Sequence, residues 1–243
     1  MSIYDVNSLS SLVAQNSYPG RGIAVGMSKN GENAVFVYFI MGRSENSRNR
    51  VFEENGNNVT IYPYESAKVS DPSLIIYSPV RKYKDNIIVT NGDQTDTVYD
   101  FLEKGKTFEE ALETREFEPD KPNYTPRISA ILNFSDKSFC YKMSILKSED
   151  ADGTACARYF YSYKSIAGLG HFIHTYNCDG NPIPTFTGEP HRIEIPDNID
   201  DFGAEIWNNL NADNKVSMYV KYINLKTKET KSVLKNTNIG GRI

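Results

Sequence analysis

Cysteine, histidine and tryptophan are scarce in this 243-residue chain, numbering three, three and one. Cys140, Cys156 and Cys178 are odd in number and widely spaced, which excludes a disulfide framework and fits a reducing compartment. The one grouping of soft ligands, His171-x-x-His174-x-x-x-Cys178, has no second pair to close a metal site. On a strand its two histidines point to opposite faces, so no metal is expected. Long apolar runs are missing as well. The longest, residues 34–41, is too short to cross a bilayer. The first twenty residues have no basic start and no apolar stretch, so no secretory signal is read and a cytoplasmic protein is expected. Basic residues are not in excess either, with 27 Lys and Arg against 31 Asp and Glu, a formal charge of −4. That argues against broad nucleic-acid binding but leaves room for a local arginine cluster around a small anion. Ala167-Gly-Leu-Gly170 lacks the third glycine of a dinucleotide fingerprint, and neither a Walker lysine motif nor a Gly-x-Ser-x-Gly elbow occurs. No cofactor is expected.

What the chain does have is enough apolar residues, 39%, to bury a core without staples, and residues 1–243 read as a single domain. Runs rich in Val, Ile, Tyr and Phe predict strands at 22–26, 34–41, 59–62, 74–78 and 87–90. A second set falls at 128–134, 139–146, 155–163, 171–176 and 216–225. Asn30-Gly31 reads as a hairpin turn between the first two. Helices are expected at 7–15, at 95–104, after the Thr107–Glu110 capping box, and where Ile199, Phe202, Ile206 and Leu210 repeat at helical spacing. Two strand-rich blocks around a helical pair suggest stacked sheets with helices outside, not a doubly wound parallel sheet.

Three constellations could carry chemistry. Arg43-Ser-Glu-Asn-Ser-Arg-Asn-Arg50 puts three guanidinium forks and several short donors within eight residues, a composition suited to phosphate oxygens, although a solvated loop would look the same. Val89-Thr-Asn-Gly-Asp-Gln-Thr-Asp96 ends a strand and opens a helix, with Asp93 or Thr95 as the cap; the bland reading is a well-capped turn. An acidic loop, residues 116–124, runs into Arg127 and could offer a proton-transfer carboxylate held by a cation, or merely a surface ion pair.

Taken together these blocks resemble the archaeal-type IMP cyclohydrolases. Tyr18-Pro-Gly-Arg-Gly-Ile-Ala-Val-Gly26 is similar to the family's opening strand. Arg43-Ser44 through Asn49-Arg50 resembles its Arg-Ser-x-x-x-Asn-Arg loop with one extra residue. Asp71-Pro72 through Tyr77 and Arg81 resembles its Asn-Pro-x-x-x-Tyr-x-x-x-Arg block. Val89-x-Asn-Gly-x-x-Thr-Asp96 and Thr125-Pro-Arg-Ile128 match most closely. Gln94 stands where archaeal members often carry His, and the loop around Glu118 is rich in Pro.

The resemblance implies an α+β fold, a four-layer α-β-β-α sandwich of two mainly antiparallel sheets, like the N-terminal-nucleophile hydrolases. Those enzymes open their first strand with a Cys, Ser or Thr nucleophile, whereas this strand opens at Tyr18-Pro-Gly-Arg21. The implied reaction is closure of 5-formamidoimidazole-4-carboxamide ribotide to IMP with loss of water. The partner is then a small purine ribotide, with no nucleic acid and no membrane, and homo-oligomerisation is left open. Arg50, Tyr77 and Glu118 become the catalytic candidates: Arg50 for the phosphate or formyl oxygen, Tyr77 as a donor, Glu118 as acid–base. Arg21, Arg43, Ser44, Asn91, Gly92, Thr95, Asp96, Thr125 and Arg127 become candidate substrate-binding residues, with Arg127 anchoring the acidic loop. The alternatives are a catalytically silent nucleotide-binding relative and a hydrolase using Ser2 or an internal Ser or Thr.

Overall fold

A computed structural model describes residues 4–68, 76–134 and 139–238. Thirteen strands and five helices are described among them. The first hairpin pairs β1 (Arg21–Met27) with β2 (Asn33–Met41), and its turn takes Gly31 to φ +74, the left-handed conformation glycine tolerates. The chain then crosses over and builds a meander from β3 (Val51–Asn55), β4 (Asn58–Tyr62), β5 (Val80–Tyr83), β6 (Asn86–Thr90), β7 (Arg127–Asn133), β8 (Cys140–Ser148) and β9 (Cys156–Lys164). It returns to the first sheet with β10 (Leu169–His174), β11 (His191–Glu194), β12 (Lys215–Asn224) and β13 (Thr230–Asn236). The sheets run β11-β10-β1-β2-β12-β13 and β3-β4-β5-β6-β7-β8-β9, with antiparallel pairing throughout the named strands.

Strand period 2 sorts the side chains into layers. Ile23, Val25, Phe36, Tyr38 and Ile40 face Val59, Val80, Val89, Ile128 and Ala130 across the space between the sheets. The alternate residues Ala24, Val35, Val37 and Phe39 pack outward with α1 (Leu9–Gln15) and α5 (Ile199–Asn209). Ile88, Ile131 and Leu146 do the same with α3 (Gln94–Glu103) and α4 (Phe108–Glu113) on the far side. The result is helices, sheet, sheet, helices, the expected four layers. β2 and β12 are buried almost end to end because both of their faces are covered, which is why they read as continuous apolar runs.

Local signals hold where they were strong. The Thr107–Glu110 capping box caps α4, and Ser8 caps α1. Asp93 takes the N-cap position of α3 but makes no side-chain cap bond, because its carboxylate is drawn to Arg115 and Arg127 instead. The strand expected at 74–78 lies partly outside the described residues, and residues 76–78 form no strand. Ser2, the nucleophile of one alternative, is also outside them. The strands β3, β5, β11 and β13 were not expected; they are short or carry many charges, so they lack an alternating apolar pattern. Among the described residues no helix is long and apolar enough to cross a membrane.

Candidate active site

At one end of the sandwich the starts of β1, β3, β5 and β7 and the end of β6 surround a cavity of 680 Å³. The six-stranded sheet contributes Arg21, and the crossover between sheets contributes Arg50. The seven-stranded sheet contributes Tyr77, Asn91, Gly92 and Arg127, and the acidic loop contributes Glu118. Seven of the sequence-derived candidates therefore meet in one place.

Two of these arginines, Arg21 and Arg50, have no carboxylate partner among the described residues, and they come from opposite directions. Arg21 points between the sheets, in phase with Ile23 and Val25, and donates through Nη1 to the Met41 carbonyl at 3.1 Å. Its backbone N–H is fixed by the Thr175 hydroxyl at 3.1 Å. Arg50 follows α2 (Glu45–Arg48). It is aimed inward by its neighbour Asn49, whose buried amide donates to the Glu65 carbonyl (2.9 Å) and accepts the Glu65 N–H (2.7 Å). Arg50 Nε is buried without a hydrogen-bond partner, and burial, followed by the nearby Arg21 charge, lowers the guanidinium pKa. Two cations held together with an unmet donor form an electrostatic invitation to an anion or a developing oxyanion.

The turn after β6 is a closed hydrogen-bond network. Asn91 accepts at Oδ1 from the Ile128 N–H and from Gln94 Nε2, both at 2.9 Å, and donates through Nδ2 to the Pro126 carbonyl at 2.9 Å. Gln94, wholly buried, accepts from Arg127 Nη1 at 2.7 Å, and Arg127 also pairs with Asp93 at 2.7 Å. Arg127 thus orders the turn that opens α3; it does not anchor the acidic loop as expected from sequence. Arg115 completes the partnership of Asp93 at 2.6 Å.

The acidic loop is held by other groups. The Glu118 N–H donates to the Thr125 carbonyl at 2.9 Å, while the Asp120 carboxylate accepts the N–H and hydroxyl of Thr125. Thr125 Oγ1 lies 2.6 Å from the Tyr176 hydroxyl, and Asn123 accepts the Ile183 N–H at 3.0 Å. Tyr124, at φ 42, is held by its hydroxyl on the Asp152 carbonyl (2.7 Å) and by the edge of Phe117. This scaffold places the half-buried Glu118 against the arginines. Its pKa is raised, first by burial and then by Asp120, with Arg21, Arg127 and Arg50 opposing.

Five candidates lie outside the cavity lining. Arg43 binds Asp179 and the Gly180 carbonyl and lies over the Tyr18 ring. Ser44 caps α2. Thr95 is buried against the Thr90 hydroxyl, Asp96 pairs with Arg81 at 2.5 Å, and Thr125 supports the loop. The cavity adds Asp93, Pro119 and Asp120, and behind Tyr77 stands Tyr38, which sequence reasoning could not single out within the apolar run of β2. The histidines do not converge on Cys178. His171 bonds Tyr141 and stacks on Tyr163 at 3.6 Å, whereas His174 faces Phe172 and His191.

A profile of IMP cyclohydrolase-like proteins matches residues 18–229. The chain belongs to the IMP cyclohydrolase-like family. A relative named IMP cyclohydrolase in Methanocaldococcus jannaschii is 29% identical over 189 residues, covering 75% of this chain and 85% of its own. Another in Methanococcus aeolicus is 29% identical over 168 residues, 66% of this chain and 75% of its own. One in Methanothrix thermoacetophila reaches 36% over a shorter stretch of 89 residues, 36% of this chain and 42% of its own. The family match begins at Tyr18 and takes in every cavity residue named above.

In this IMP cyclohydrolase-like chain Gly92 is a packing requirement. A Cβ there would sit 2.4 Å from Arg127 Nη1 and 2.6 Å from Gln94 Oε1. Gly92→Ala should displace Arg127 and the turn, lowering kcat/KM on the order of tenfold or more in a steady-state assay. Unchanged kinetics would show that the turn's fit does not matter to the reaction.

Proposed function

We propose that this chain closes 5-formamidoimidazole-4-carboxamide ribotide to IMP with release of water. One observation carries the reading. In a chain of this family, two arginines without carboxylate partners among the described residues face a carboxyl whose burial favours its protonated form. The carboxamide nitrogen attacks the formyl carbon, an unfavourable step because an amide nitrogen is a weak nucleophile. Holding the two groups in contact supplies part of the barrier, roughly up to 7–11 kcal/mol in favourable cases. Arg21 and Arg50 stabilise the charge that develops on the formyl oxygen. Glu118 delivers a proton to that oxygen and recovers one from the attacking nitrogen; the resulting hydroxyl then takes the second proton and leaves as water while the formamido nitrogen gives up its hydrogen to form the ring C=N bond. Asn91 and Gly92 form the floor beneath the base, and Arg127 braces that floor. Arg43 and Thr125 act one layer out, fastening the loops that close the site.

The direct test is incubation of purified protein with the formylated ribotide while IMP is followed by absorbance and chromatography. No IMP from folded protein would sink the proposal. Ring closure should also persist in excess chelator. The cavity lining has no His or Cys, its three carboxylates stand among three guanidinium groups, and the condensation has no redox step. Loss of activity on chelation, with recovery on adding zinc, would contradict that expectation.

A further inference from the structure

The hydrogen bonds behind Tyr77 have a fixed direction. Its hydroxyl lies 2.8 Å from the Asn91 carbonyl oxygen, which can only accept, so the single phenolic proton is committed there. The Tyr38 hydroxyl lies 3.3 Å from the same Tyr77 oxygen. Tyr38 is fully buried, and Tyr77 is its only hydrogen-bond partner among the described residues, so Tyr38 is the donor in that pair. Asn91 cannot turn its carbonyl away, because its side chain is held by Ile128, Gln94 and Pro126. Toward the cavity, Tyr77 is therefore left with a lone pair and no proton.

We infer that Tyr77 acts as a hydrogen-bond acceptor for the N–H that the attacking carboxamide nitrogen keeps, with Asn91 and Tyr38 setting that polarity. The inference rests on the ring-closing reading above and replaces the donor role that the sequence resemblance implied. The atom balance suits it. The carboxamide nitrogen starts with two hydrogens. One of them and the formamido hydrogen leave with the formyl oxygen as water, and the other remains on N1 of IMP. An N–H that persists from substrate to product calls for an acceptor alone, and a phenol oxygen whose hydrogen is given to a carbonyl is one. Held by that bond, the amide plane is fixed while the formyl carbon is brought to it.

The test uses IMP, which carries N1–H, and AMP, whose N1 is a bare lone pair, titrated into wild type and Tyr77→Phe. Wild type should bind IMP at least tenfold more tightly than AMP. The phenylalanine variant should narrow that ratio at least threefold, and comparing ratios cancels the difference at C6. IMP labelled with 15N at N1 and bound to the wild-type protein gives a second readout without a variant, as the N1 proton should move downfield on binding. Equal or tighter binding of AMP to wild type overturns the inference, as does a ratio unchanged in Tyr77→Phe. If IMP still forms in those cases, the ring-closing reading survives the failure. If IMP neither binds nor forms, both fall together.

Discussion

Glu118→Gln should lower kcat by roughly 10²-fold or more while leaving substrate binding little changed. The substitution keeps size and most hydrogen bonding and removes only the titratable proton. Glu118 has a raised pKa because burial, then Asp120, disfavour its ionised form. It therefore retains its proton to a higher pH than an ordinary carboxyl. As a general acid it is active below that pKa, and the wild-type rate should fall as pH rises through it; the glutamine variant should lose this alkaline limb. The linkage sign sets a second expectation. Between the unfolded and the raised folded pKa, the unfolded chain ionises first, so the native state loses stability as pH rises. Glutamine cannot ionise, and its Tm near neutral pH should be equal to or higher than wild type. A large loss of kcat with unchanged or higher Tm separates chemistry from scaffolding. An unchanged kcat would move the acid–base role to Asp120, the other carboxylate of that loop at the cavity, since Asp93 there is taken up by Arg115 and Arg127.

Arg50→Ala should lower kcat/KM at least about tenfold, since charge-assisted hydrogen bonds to an anionic centre contribute more than neutral ones. Arg50→Lys should recover only part, because a point charge cannot replace the planar fork. The structure adds that the fold should not suffer. Arg50 Nε has no partner among the described residues and its charge is opposed by burial and by Arg21, so removing it relieves that electrostatic cost. Kinetics and thermal melts on the same samples check both halves. Near wild-type kcat/KM for the alanine variant would remove Arg50 from the site.

The parts of this architecture legible in the sequence are those with local causes. The Asn30-Gly31 hairpin, the Thr107 capping box and the helical repeat from Ile199 to Leu210 follow from residues within one turn or one face, and all three are present. The partition of strands between sheets has no local cause. β1 and β2 are joined by β10 and β12 from far along the chain, while the strands next in sequence enter the other sheet. The site divides in the same way. Arg21, Arg50, Tyr77, Asn91, Gly92 and Arg127 stand out through the family's motif blocks and Glu118 through its acidic loop, and the seven converge. The partner of Arg127 was misjudged because the acidic loop is adjacent in sequence, whereas Asp93 and Gln94 reach it only after β6 and β7 pair. Tyr38 was invisible, since a tyrosine that alternates with Phe36 and Ile40 looks like any other core aromatic.

The cavity draws its walls from both sheets, with Arg21 on one, Tyr77, Asn91 and Arg127 on the other, and Arg50 on the strand-to-strand crossover. Neither sheet alone carries a working set. In a compact state where the strands have formed but the interior between them has not yet interlocked, far-UV dichroism would look native while turnover would be nil. Catalysis in such a protein is a clock for the final docking event. During renaturation, recovered turnover would follow the burial of the aromatic interior around Tyr38 and Phe52, not the return of secondary structure.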